Sequence, residues 1–292
     1  MATKQEKKAK NKKRSQWLDV WARLRKNKVF MVCLVVICLL ILSAVFADVI
    51  APYDPAAIDP SNRFAPVSLE HPMGTDDFGR DLFSRVIYGG RISLLVAVLA
   101  VIMGLVVGGL LGMTAGYFGG LYETVVMRCT DILMAIPGFL MALCVSVALG
   151  TGIINTAIAI AASAVPSYAR VTRASVLSEK NRQYVEAATS IGTSHLKIIL
   201  KHILPNIMSP ILVESTLRIG ASIISISGLS FIGLGVQPPT PEWGSMMSKC
   251  LTFFRDTPTL ILFPGFAIMI TIFAFNLFGD GLRDALDPRL KN

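Results

Sequence analysis

Residues 132–169 read ILMAIPGFLMALCVSVALGTGIINTAIAIAASAVPSYA, thirty-eight positions without one Asp, Glu, Lys or Arg. A helix rising ~1.5 Å per residue needs about 20 apolar residues to cross ~30 Å of hydrocarbon, so this stretch holds two crossings. Gly150, Thr151 and Gly152 near its middle supply the turn. Working outward, residues 29–47 and 92–118 are uncharged, and two further apolar stretches cover 209–229, with Glu214 and Arg218 in its early turns, and 257–279. The expected fold is therefore all-α, a polytopic membrane protein with six transmembrane helices. The whole chain agrees: 53% of its 292 residues are apolar and only 16% charged, against about 25% charged in ordinary chains. Mean hydropathy is +0.60. A soluble globule is excluded.

Charge sets the expected orientation. Of 28 Lys and Arg, 11 fall in the first 28 residues, and the segment 170–201 carries six more (Arg170, Arg173, Lys180, Arg182, Lys197, Lys201). Both segments should lie in the cytoplasm. Residues 48–91 hold seven acids against four bases and should face outward. The uncharged run 29–47 is longer than a cleavable signal core of about 7–15 residues, so it is read as a retained first span. The organisation that follows is a basic cytoplasmic tail 1–28, a first span 29–50, and an extracytoplasmic segment 51–91. A core of five spans then occupies 92–280, including a cytoplasmic loop 171–208, and a cytoplasmic tail covers 281–292. The Gly- and Pro-rich segment 228–258 with Trp243 should pack on the outer surface or dip partly into the protein.

Three groups of residues carry more than hydrophobicity. Gly104, Gly108, Gly112, Gly116 and Gly120 recur every fourth residue, a flat ridge on one helix face that lets another backbone approach closely, within the chain or at a subunit interface. In the cytoplasmic loop, Glu186, Ala187 and Ala188 are followed by Gly192 and then by His202, Leu204 and Pro205. This spacing reads as helix, turn at Gly192, short helix, and a stop at Pro205. The small alanines beside one carboxylate suit a docking surface, with a solvated amphipathic hairpin as the alternative. Last, Arg128 with Asp131 and Glu214 with Arg218 are spaced to meet on one helix face. They could line a gate or polar path, or simply neutralise each other near the interface.

The Glu186-Ala187-Ala188, Gly192, Leu204-Pro205 spacing resembles the EAA signature of bacterial ABC-importer permeases. HPMGTDDFGRDLFSR at 71–85, GYFGG at 116–120, LSFIGLGVQPPTPEWG at 229–244 and GDGLRDALDP at 279–288 resemble the dipeptide/oligopeptide branch of that family. The Lys-rich tail and short outer segment are similar to its C-type subunit, and the likeness spans 29–292. One position departs: His202 stands where the general signature has Ile, as peptide-branch members often do. The resemblance implies a type I ABC-importer permease fold in the bacterial cytoplasmic (inner) membrane with both termini cytoplasmic. It implies a homologous B-type permease partner, two cytoplasmic ATPase subunits and an extracytoplasmic solute-binding protein, with alternating access as the mechanism. Solute would be released onto the outer face near the 228–243 and 76–91 segments. The EAA loop would be the ATPase-coupling loop, with Glu186 paired to a basic residue of the ATPase.

No GxxxxGK[ST] phosphate loop occurs in the chain, so ATP and Mg are expected on the partner subunits, with no cofactor in this one. The three histidines, His71, His195 and His202, form no HExxH, and the five cysteines form no CxxC, so no metal site and no catalytic residue is expected. The basic balance is a topology signal, and the expected surroundings are the lipid bilayer rather than nucleic acid. Peptides are the expected solute. A nickel complex is the sharpest same-branch alternative, for which the outer face offers His71, Cys250 and scattered acids, and a non-transport membrane protein is the remaining one.

Overall fold

The structure, a computed structural model, describes residues 21–286. Of the expected tails 1–28 and 281–292, residues 1–20 and 287–292 lie outside the described residues, while 281–286 continue the last helix instead of forming a tail. Helices are the regular elements of the described part, apart from a lone bridge between Thr75 and Asp81. Helix α1 (Lys28–Val45) begins where the Asn27 side chain accepts the Phe30 N–H at 3.1 Å. It buries a narrow face, Phe30, Cys33 and Ile37, and leaves Val32, Val35 and Leu39 exposed, as a helix at the rim of a membrane bundle does.

Helix α2 (Leu82–Phe118) has 37 residues, about 55 Å at the α-helical rise, and so overshoots the hydrocarbon. The apolar pattern placed its start at 92. It starts at Leu82 because Asp81 caps it, accepting the Ser84 N–H at 2.8 Å and the Ser84 hydroxyl at 2.7 Å. The charges in the extra turns are satisfied. Arg85 donates to the Pro55 carbonyl at 2.7 Å, and Arg91 donates to the Ala44 carbonyl at 2.9 Å and pairs with Asp48 at 3.0 Å.

The expected straight crossing over 132–150 is bent. Helix α3 (Gly120–Met134) and helix α4 (Gly138–Leu149) meet at 91° across Ala135, Ile136 and Pro137. Pro137 lacks an N–H and pushes the residue before it out of the α region, so the helix breaks there. Gly150 (φ 80°) and Gly152 (φ 135°) make the expected turn into helix α5 (Ile153–Lys180). That helix continues to Lys180, so residues 171–180 of the expected loop extend the span as helix. Helix α6 (Gln183–Ser190), a short turn His195–Ile198 and a π-helical turn Ile199–Ile203 lead without a stop into helix α7 (Leu204–Phe231). The chain returns through helix α8 (Trp243–Cys250) to helix α9 (Thr259–Leu286).

Among the described residues, four helical runs are long and apolar enough to cross a membrane: Lys28–Val45, Leu82–Phe118, His195–Phe231 and Thr259–Leu286. The bent α3–α4 pair makes a fifth if counted as one span. The expected sixth, α5, is rich in Ala and Ser and carries Arg170 and Arg173, so six crossings are not established by length and composition. The deepest packing is α2 against α5. Cβ atoms added at Gly104, Gly108, Gly112 and Gly116 would lie 3.1 Å from Ala164 Cβ, 2.4 Å from the Val165 carbonyl oxygen, 2.2 Å from the Ala169 carbonyl oxygen and 3.0 Å from the Arg173 carbonyl oxygen. The ridge thus packs within the chain. Gly120 is not part of it: the chain leaves α2 at Gly119, and Gly120 (φ 66°) opens α3 with nothing near its missing Cβ.

Candidate functional site

At the end of the bundle where α2 finishes and α7 begins, α6 lies across three helix ends. Its underside, Val185 and Ala188, is buried with Met113 and Tyr117 of α2, Val176 of α5 and Ile207 of α7. Glu186 and Ala187 are exposed on the other side, and Glu186 makes no side-chain hydrogen bond or ion pair among the described residues. The helix closes at Gly192, whose φ is 75°. Its N–H donates to the Thr189 carbonyl at 2.9 Å while the Thr193 N–H donates to the Ala188 carbonyl at 3.1 Å, the paired bonds of a Schellman cap. Only a residue free to take the left-handed region closes a helix this way at no cost.

Pro205 differs from its expected role. It lies in the first turn of α7 and ends nothing, because an N–H is not required there. The π-helical turn just before it carries the chain from hairpin to span, with Leu204 donating to the Ile199 carbonyl and His202 half-buried inside it. Leu204 packs at the edge of the apolar cluster beneath α6.

The charges expected as two local pairs form a wider seam. Glu214 pairs with Arg218 at 2.8 Å as spaced, and also accepts the Ser167 hydroxyl of α5 at 2.8 Å. Asp131 lies 3.9 Å from Arg128 but only 2.7 Å from Arg170, and Glu123 pairs with Arg173. Two ion pairs therefore bridge α3 to α5, and the sequence reading had placed Arg170 and Arg173 only as loop charges. Their three-residue spacing on an extended α5 was the available signal; their distant acids were not.

The opposite end is a tied cap. Trp243 is only 2% exposed, so of the two placements expected for its segment, on the outer surface or dipping into the protein, its side chain takes the second. Its indole N–H donates to the Val86 carbonyl at 2.9 Å, and its ring lies over Gly89 and Gly90, where any Cβ would collide at 2.9 Å. Glu242 caps α8, accepting the N–H groups of Gly244 at 3.0 Å and Ser245 at 2.9 Å and the Ser93 hydroxyl of α2 at 3.1 Å. Burial pushes its carboxyl above the usual range. Asp76 accepts the Arg80 Nε–H at 2.7 Å, and Arg85 lies 3.4 Å away, all three buried. His71 is bound to Asp81 at 2.9 Å, and Cys250 is buried with its thiol pushed up to about 12. The side chains of Trp243, Asp76, Arg80 and Arg85 are thus engaged in holding the cap, not turned out toward a solute. His71 and Cys250 are likewise buried in the cap.

A helical bundle with membrane-length apolar helices, a close-packed small-residue seam, ion pairs between helices and a hairpin that presents one carboxylate at one end suits a membrane permease. The family described as binding-protein-dependent transport system inner membrane component matches residues 108–292, and the N-terminal TM domain of oligopeptide transport permease C matches residues 15–66. The chain belongs to this family of ABC-importer permeases, in its peptide-transport branch. The dipeptide transport system permease protein DppC of Alkalihalophilus pseudofirmus is 43% identical over 95% of this chain and 91% of its own. The glutathione transport system permease protein GsiD of Escherichia coli O6:K15:H31 is 47% identical over 95% of this chain and 92% of its own. A chain of the MetNI methionine ABC transporter, solved in inward-facing conformations, covers 70% of this chain and 97% of its own length with a TM-score of 0.56 at 17% identity, which shows the type I importer fold.

Proposed function

We propose that the chain is one half of the translocation path for dipeptides or short oligopeptides, paired with a homologous permease and fed by an external solute-binding protein. The relatives named for dipeptide and glutathione transport support a peptide solute. Two ATPase subunits carry the ATP and Mg, and the chain crosses the membrane six times with both termini cytoplasmic. The hairpin of α6 is the coupling element: Glu186 and Ala187 enter a groove of an ATPase subunit, and Ala188, His202, Leu204 and Pro205 shape the base from which they project. ATP-driven closure of the ATPases moves the hairpin and, through α7, the helices that open the path to one side or the other. The Arg128, Asp131, Glu214 and Arg218 charges border that path.

The observation that carries this reading is the exposed, unpaired Glu186 on a helix whose opposite face is buried and whose end is fixed by a Schellman cap. A carboxylate held out this way is ready for a charge-assisted bond, and truncating one partner of such a buried pair costs about 2–5 kcal/mol. Glu186→Ala and Gly192→Val should both lose uptake at normal membrane abundance. A Cβ at Gly192 would meet no neighbouring atom within 4 Å, so the expected effect rests on forcing a β-branched residue to a φ of 75°. Full transport by both variants at equal expression would sink the coupling role.

A further inference from the structure

Tyr184 precedes Glu186 by two residues, and its phenol turns back toward the bundle. Its hydroxyl donates to Glu179 Oε2 at 2.5 Å, in the last turn of α5, and accepts the Asn206 Nδ2–H at 3.1 Å, in the first turn of α7. Asn206 donates in addition to the His202 carbonyl at 2.7 Å, inside the π-helical turn. Partial burial and the Glu179 carboxylate push the phenol up to about 12, so it stays a donor throughout the physiological range. On the far side of the hairpin, Tyr117 of α2 meets His195 Nδ1 at 2.8 Å.

The two routes from hairpin to α7 differ physically. The backbone route runs through residues 199–203, where the wider i→i−5 bonding interrupts the regular ladder and lets a push dissipate as bending. The apolar underside is non-directional and lets the hairpin rock on it. The Tyr184 hydroxyl and Asn206 bridge the π-helical turn from outside, and Glu179 ties the same point to α5. We propose that Tyr184 is a positioning residue that braces the coupling hairpin across the π-helical turn, so that the hairpin, the end of α5 and the start of α7 move as one body. This rests on the coupling role of the hairpin and names the residue through which its motion reaches the spans.

The test is made on the assembled transporter in lipid, measuring assembly, basal ATPase, ATPase stimulated by loaded binding protein, and uptake. Tyr184→Phe removes one oxygen and keeps the ring. It should assemble, keep basal ATPase, and lose stimulated ATPase and uptake by about tenfold, the scale of a hydrogen bond to a charged group. Glu179→Ala should match it, Glu179→Gln, which retains an acceptor, should recover most of the transport, and Tyr184→Phe combined with Glu179→Ala should be no worse than either alone. Parent-level uptake by Tyr184→Phe overturns the brace, and so does a joint loss of assembly and basal ATPase, which would make the residue merely structural. Glu186→Ala run alongside separates the two ideas: if it fails while Tyr184→Phe transports normally, the coupling role stands and the brace alone falls, whereas normal uptake by both removes the coupling role as well.

Discussion

At the residue scale the glycines of α2 show how spacing and environment part company. Five at four-residue intervals look equivalent in sequence, yet a Cβ at Gly112 would sit 2.2 Å from the Ala169 carbonyl oxygen, and one at Gly120 would touch nothing. The obstruction at Gly112 is backbone on a helix that cannot rotate away, so Gly112→Ala must push α5 off α2, an overpacking cost of about 1–3 kcal/mol or more. Gly120→Ala meets only its φ of 66°, about 1–2 kcal/mol of local strain. Thermal unfolding of the purified complex should show Gly112→Ala melting below Gly120→Ala, with the parent highest. Equal melting points would mean that α2 and α5 are not in this close contact. The ridge itself was legible because its period is helical. Its end was not, because nothing in GYFGG says that the helix stops at Gly119 rather than one turn later.

At the element scale the prolines and Trp243 made the difference between a row of apolar windows and a fold. Pro137 sits inside an uncharged run and bends it by 91°, while Pro205 is tolerated because it falls in a first turn. Both follow from the missing N–H, but which outcome holds depends on where the helix begins, and a hydropathy window does not locate that. The Gly- and Pro-rich composition around Trp243 left open whether its segment packs on the outer surface or dips into the protein. Trp243 is the pin of α8, with its indole over the paired glycines 89 and 90 of α2. Trp243→Ala should therefore cost about 3–5 kcal/mol, as buried Trp truncations do, and deplete folded protein in the membrane. Trp243→Phe, which keeps most of the apolar volume but loses the bond to Val86, should fall between. Normal abundance of Trp243→Ala would contradict the buried position.

At the scale of the whole molecule the two ends are built for different tasks: one is tied shut by buried caps and ion pairs, the other presents a hairpin with an unpaired carboxylate. The proposed orientation puts the tied end outside. In a chain otherwise free of cysteine, Glu70→Cys should react with a membrane-impermeant maleimide in cells whose inner membrane is intact, and Ser190→Cys only after that membrane is permeabilised; both positions are exposed. The reverse pattern would invert the topology. What the sequence alone determined is what local chemistry controls: a helical membrane chain, the apolar stretches, the glycine period, and the Glu186 to Gly192 spacing, since hydrophobicity, charge and backbone freedom act within a few residues. Only the tertiary structure decided that Asp131 meets Arg170, that Glu242 caps α8 while holding Ser93, and that Tyr184 joins Glu179 to Asn206. Those partners are set by which helices cross and at what height, and that depends on the packing of the whole bundle rather than on any one stretch of it.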